Sequence, residues 1–203
     1  MYTLYYMPGA CSLATHTVMN ELGLDVTAID KNGVENYAEI NPSGSVPTLK
    51  SDQITLREGV SILLYLLDKY DNDLLAKDGL LRNEQIDAIT FANATMHPAY
   101  GRLFFGANTI TDDEARLAYF AAASEVINKL WRAVDRQVGD KKFLFGDKVS
   151  PADILLAVYS TWGQYFPVSI ELGENSQRMI GNVHAMPSYK AAQEAQNAAA
   201  VAA

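Results

Sequence analysis

Leu4-Tyr5-Tyr6-Met7-Pro8-Gly9-Ala10-Cys11-Ser12-Leu13-Ala14 begins as a short aromatic and aliphatic strand, turns at Pro8-Gly9, and enters a helical pattern that runs to about Leu22. The only cysteine of the chain stands where that helix should begin. The first amides of a helix have no intrahelical acceptor, and the helix dipole adds partial positive charge there. A thiolate at such a place, on the protein or on a ligand, is stabilised. The position therefore predicts an exposed Cys11 thiol of lowered pKa.

Working outward, Tyr2–Tyr6 reads as a buried strand, and Ser12–Leu22 as a helix turning Leu13, Val18, Met19 and Leu22 to a core. Gly23 is a helix stop, since glycine takes the left-handed conformation at little cost. Val26–Asp30 is a second strand, which makes the start a βαβ unit. The polar stretch Lys31–Glu39 leads into Asn41-Pro42-Ser43-Gly44-Ser45, dense in turn formers. Val46–Leu49 and Gln53–Leu56 predict a hairpin about Lys50-Ser51-Asp52. Pro47 is tolerated where the ladder needs no N–H, and the isomer of the Val46–Pro47 bond is open. From Glu58 to about Tyr70 a helix presents Ile62, Leu63, Leu66 and Leu67 on one face. The sum is a mixed four-stranded sheet with helices.

Beyond the polar break Asp71–Lys77 the period is helical throughout. A long helix from Gly79 to Phe105 is interrupted at Pro98, which would cost roughly 3 kcal/mol in an uncompensated helix interior. Thr111-Asp112-Asp113-Glu114 opens a helix with Phe120, Ile127, Leu130, Trp131, Val134 and Val138 on one face. Ser150-Pro151-Ala152-Asp153 has the form of a capping box with proline at the first helical position. The apolar run behind it predicts the buried centre of a second domain. Glu174–Val183 and Ser188–Gln196 read as closing surface helices, with an alanine-rich end expected to fray. The expected domains are 1–76, α/β, and 77–203, all-α.

The chain has 203 residues, 49% of them hydrophobic, and a formal charge of −8. That charge argues against a nucleic-acid surface. One cysteine and three scattered histidines give no zinc-type spacing, so no metal is expected. A single cysteine forms no internal disulfide, and neither a leader nor a run of 18 apolar residues is present. A soluble, cytoplasmic protein without membrane contact is the expectation.

At four separated places the chain resembles a cytosolic glutathione transferase, most of all the bacterial beta class: Tyr5–Ser12, Asn41-Pro42-x-Gly44-x-Val46-Pro47, Thr55-Leu56-x-Glu58-Gly59, and Ser150-x-x-Asp153. The resemblance covers essentially the whole chain in order. It implies a thioredoxin-like N-terminal domain, an all-α C-terminal domain lining the electrophile site, glutathione as co-substrate, a small hydrophobic electrophile, and a homodimer. The activity implied is conjugation of the glutathione thiolate. The alternatives are glutathione-dependent thiol–disulfide exchange through Cys11, or a transferase-like binding protein without turnover.

The same resemblance places Cys11, with Ala10 beside it, at the sulfur of glutathione, where a mixed disulfide can form. Tyr5, Tyr6 and Ser12 are the competing catalytic hydroxyls, and Tyr6 and Ser12 are carried as catalytic candidates. Tyr5 and Tyr6 alternate on a strand, so only one can face the site, and filling the core is the favoured role for both. Ser12 can instead cap the helix. Val46 and Pro47 would offer backbone to the cysteinyl part of glutathione, as though it added a strand. Glu58 and Gly59, at a helix start, suit the γ-glutamyl end. Where many relatives carry serine, Gly59 leaves only backbone. Lys31 is a weak counterpart for the basic residue that relatives aim at the glycyl carboxylate. His97 resembles the histidine that the beta class brings from its helical domain, and Tyr100, Phe104, Trp162 and Tyr165 are candidates to line the electrophile pocket, although aromatics at helical spacing also make core.

Overall fold

The computed structural model describes residues 1–201. The chain divides into two compact units, Met1–Arg82 together with the segment from His184 onward, and Asn83–Val183. The division falls at 82/83 where 76/77 was expected, and the segment from His184 onward joins the first unit because its helix packs there.

In the first unit, β1 (Tyr2–Tyr6) lies parallel to β2 (Val26–Asp30) and antiparallel to β3 (Thr48–Lys50), and β3 pairs with β4 (Thr55–Leu56). The sheet order is β2-β1-β3-β4. Alternation along β1 sends Tyr2 and Leu4 to one face, where they bury with Met19 of α1 (Ser12–Glu21), Leu49, and Ile62 and Leu66 of α3 (Gly59–Lys69). α1 ends at Gly23, which is left-handed at φ +64° while Leu24 N–H returns to the Met19 carbonyl.

Three local expectations shift. The hairpin strands begin later than predicted, Leu49 pairing with Leu56 and Lys50 with Thr55, so the turn runs from Ser51 to Ile54. Val46 and Pro47 lie outside the ladder, and their peptide bond is cis. Within the polar connection stands a one-turn helix, α2 (Tyr37–Ile40), too short to announce itself by periodicity.

The closing helix α9 (Pro187–Val201) packs on α1, which is why α1 is buried on every side from Ser12 to Met19. Asn20 Nδ2 donates to the Ser188 carbonyl at 3.1 Å, and the Tyr6 hydroxyl to the Gln196 carbonyl at 3.4 Å. The alanine-rich end, expected to fray, continues the helix to Val201; Ala202 and Ala203 lie outside the described residues.

The second unit is helical. α4 (Gly79–Phe91) passes through a π-helical turn, Ala92–Met96, into α5 (His97–Thr109). The widened turn answers Pro98, whose ring would otherwise press on the carbonyl four residues back. α6 (Asp113–Val138) is capped by Asp112, which accepts from Ala115 N–H, and buries Phe120, Ile127, Trp131, Val134 and Val138. Leu130, expected on that face, is only half-buried. α7 (Pro151–Ser160) carries the predicted capping box and is buried from Pro151 to Tyr159. α8 (Glu174–His184) follows, its N-terminus held by Asp135, which accepts from Ser176 N–H at 2.8 Å.

Candidate functional site

The end of β1, the entry to β3 and the start of α3 converge in the first unit. Cys11, not Ser12, occupies the N-cap of α1, and its side chain makes no capping bond. The sulfur turns instead to the Val46 carbonyl, donating S–H···O at 3.3 Å. Burial pushes the thiol up to about 11, and the charge of Glu58 adds to this against the opposing pull of the Cys11 and Ser12 amides. The lowered pKa expected for Cys11 is thus corrected: desolvation of the sulfur outweighs the helix start. Glu58 caps α3 with extended backbone and an exposed side chain, and Gly59 is the first residue of that helix.

The candidate hydroxyls are engaged elsewhere. Ser12 is fully buried, and its Oγ donates to the Met7 carbonyl at 3.4 Å and accepts from Met7 N–H at 3.3 Å, closing the turn between β1 and α1. Tyr6 is buried with its hydroxyl on α9, and burial raises its pKa, with a further push from Asp30. Tyr5 faces the other way, its ring 5.6 Å from that of Tyr37. Ala10 lies in the turn, N–H to the Met7 carbonyl and carbonyl to Leu13 N–H. The Lys31 ammonium donates to the Gly44 carbonyl at 2.8 Å, which brings the one basic candidate over the loop that leads to Val46.

In the helical unit an aromatic cluster surrounds Trp162. His97 lies 5.1 Å from the Tyr159 ring and 5.0 Å from Trp162, and burial lowers its pKa, favouring neutral imidazole. Phe104 meets Trp162, Tyr165 and Phe166. Phe104 and Tyr165 are 38% and 56% exposed, whereas Trp162 is buried. Tyr100 is fully buried, its oxygen accepting from Trp131 Nε1–H at 2.8 Å. Its expected place on a pocket wall is therefore corrected to a core position, because the Trp131 N–H needed an acceptor. Among the described residues, no cluster of His, Cys, Asp or Glu is arranged to hold a metal ion, and no helix is long and apolar enough to cross a membrane.

Residues 4–73 match the profile of the glutathione S-transferase N-terminal domain. A glutathione S-transferase of Xanthomonas campestris is 30% identical over 198 residues, spanning 93% of this chain and 97% of the relative. The chain belongs to the glutathione S-transferase family. A beta-class glutathione S-transferase of Sphingomonas chungbukensis is 33% identical, with TM-score 0.82 over 96% of this chain and 98% of that one. A sphingomonad glutathione S-transferase complexed with glutathione is 31% identical, with TM-score 0.83 over 96% and 98%. The beta-class resemblance carried by the four motifs is thereby borne out.

For this transferase chain, sequence reasoning passed over the groups that hold the loop before Val46. Asn41, nearly fully buried, binds Ser43 N–H through Oδ1, an Asx turn that the Asn-Pro-x-Gly sequence signals. Arg57 Nε donates to the Ile40 carbonyl at 2.9 Å, a contact that no local pattern announces.

Proposed function

We propose that the protein binds glutathione and transfers its thiolate to small hydrophobic electrophiles. What carries this reading is the meeting of Cys11 and Val46, with the Glu58 charge felt at the same sulfur. It is supported by likeness to the sphingomonad enzyme complexed with glutathione.

In this scheme the Cys11 and Ser12 amides, which already face the Cys11 sulfur, lie nearest the glutathione sulfur and favour its thiolate. Cys11, kept protonated by burial, turns its S–H from the Val46 carbonyl to the incoming thiolate. It is a hydrogen-bond donor rather than a rival nucleophile. The Val46 backbone pairs with the cysteinyl unit, Glu58 with the γ-glutamyl ammonium, the first amides of α3 with its carboxylate, and Lys31 with the glycyl carboxylate. Within the helical unit, Phe104 and Tyr165 present exposed apolar surface and His97 a neutral imidazole, features that suit a hydrophobic ligand. Rate enhancement comes from thiolate formation and proximity. Thiol–disulfide exchange through Cys11 is the weaker reading, since a protonated thiol attacks slowly.

A homodimer belongs to the same reading. Leu80 is 81% exposed and Leu81 46% at the start of α4, surface that a second copy would cover. A cytoplasmic location fits a chain with one free thiol.

Isothermal titration with glutathione and a chloro-dinitrobenzene conjugation assay test the proposal. Saturable binding and a glutathione-dependent rate are expected; no binding at millimolar ligand would overturn it.

A further inference from the structure

The loop 41–47 delivers Val46, and a closed hydrogen-bond ring behind it holds the loop to α2. The Tyr37 hydroxyl donates to the Ser45 carbonyl at 2.9 Å and lies 2.8 Å from Thr48 Oγ1. The Asn41 side-chain amide donates to the same two oxygens, at 2.9 and 3.1 Å. Proton counting sets the directions. A phenol has one hydrogen, and here it goes to the Ser45 carbonyl, so Thr48 must donate to the phenol oxygen while accepting from Asn41. Each donor in the ring has an acceptor, and Tyr37, Asn41 and Thr48 are all buried. Thr48 also sits opposite Tyr5 in the β1–β3 register, and the Tyr5 ring packs on that of Tyr37.

We propose that Tyr37 is a positioning residue of the glutathione site: its hydroxyl fixes the Ser45 carbonyl, and through the next residue the Val46 backbone and the Cys11 sulfur bonded to it. The ligand part rests on the function proposed above; the thiol part does not.

Tyr37→Phe keeps the ring against Tyr5, removes one donor from the Ser45 carbonyl and strands the Thr48 hydroxyl. Thr48→Val also breaks two bonds of the ring but leaves Tyr37 on Ser45. A purely structural role makes both variants behave alike, in step with their loss of stability. A positioning role makes the effect follow the Ser45 bond.

The test compares the two variants with the native protein in thermal midpoint, glutathione Kd, the KM and kcat of conjugation, and the rate of Cys11 alkylation by iodoacetamide. Tyr37→Phe is expected to raise glutathione Kd and KM about five- to tenfold with kcat within about twofold, the size of one hydrogen bond. Cys11 alkylation should accelerate about threefold or more as the Val46 carbonyl slackens its hold, while Thr48→Val leaves both readouts within about twofold. Unchanged binding and alkylation in Tyr37→Phe, or equal changes in Thr48→Val, would overturn the proposal. Should the native protein bind no glutathione, the functional reading fails, and the alkylation rates alone decide the role of Tyr37.

Discussion

Cys11 Sγ and the Val46 carbonyl oxygen stand 3.3 Å apart, joining the start of α1 to the approach of β3 beyond the end of the two central strands. The bond needs the proton, so the contact and the protonation state of the thiol support one another. Cys11 loses its proton well above the ordinary thiol value of 9.0, at about 11. Because the folded state holds the proton more tightly than the unfolded chain, this stabilisation is fully present below pH 9 and is lost as pH rises toward 11. Thiolate absorbance at 240 nm should therefore show no inflection below pH 9 in the native protein; one near pH 7 would refute the assignment.

If Cys11 acts as a donor, Cys11→Ser should keep most of the conjugation rate, since a hydroxyl also donates. Cys11→Ala should lose more, up to about a hundredfold in kcat if the donor is worth what an oxyanion-hole donor is worth. Equal activity in both variants would remove Cys11 from the mechanism.

His16 is buried on α1 with Nδ1 3.4 Å from Gln196 Nε2 of α9, and burial lowers its pKa from 6.5. Folding therefore favours the neutral ring. The associated stability is present above pH 6.5 and declines as pH falls through the lower folded value, because the unfolded chain takes up the proton first. The thermal midpoint should drop between pH 7 and pH 5, and His16→Gln should flatten that dependence; identical slopes would locate the acid sensitivity elsewhere.

Tyr100→Phe deletes the acceptor of the Trp131 N–H deep in the helical unit. A buried donor left unsatisfied costs about 1–3 kcal/mol, measurable by urea unfolding. The KM for the electrophile should not change, which distinguishes a core tyrosine from one that touches substrate.

Gly173 stands before α8, where an added Cβ would run into the Asp135 carboxylate. That carboxylate holds Ser176 N–H and Asn175 Nδ2. Gly173→Ala should cost about 1–3 kcal/mol through overpacking and loss of the cap. A thermal midpoint equal to that of the native protein would show that the loop yields without cost.

Much of the fold was legible because its signals are local. β1 and β2 fall where alternation and flanking turns put them, and the Ser150–Asp153 box is written in four residues. What escaped the sequence depends on segments far apart in it. His16 and Thr17 were not among the core residues expected of α1, yet both are buried, with His16 against Gln196 of α9. Ser12 and Tyr6 looked available because their acceptors, Met7 and Gln196, follow no periodic rule. The thiol moved the opposite way from expectation because a helix start is visible in sequence, whereas enclosure of a sulfur is not. The four motifs brought Cys11, Val46 and Glu58 to one place, but said nothing of the Tyr37 hydroxyl behind them.

The packing of α9 on α1 also bears on how the molecule is made. The helical unit is one continuous segment, Asn83–Val183, whereas the sheet unit is built from two, Met1–Arg82 and the segment from His184 onward. α1 is therefore synthesised before the helical unit and α9 after it. Until Pro187–Val201 has emerged, α1 lacks the helix that packs on it, so the sheet unit is completed only after the whole helical unit has been made.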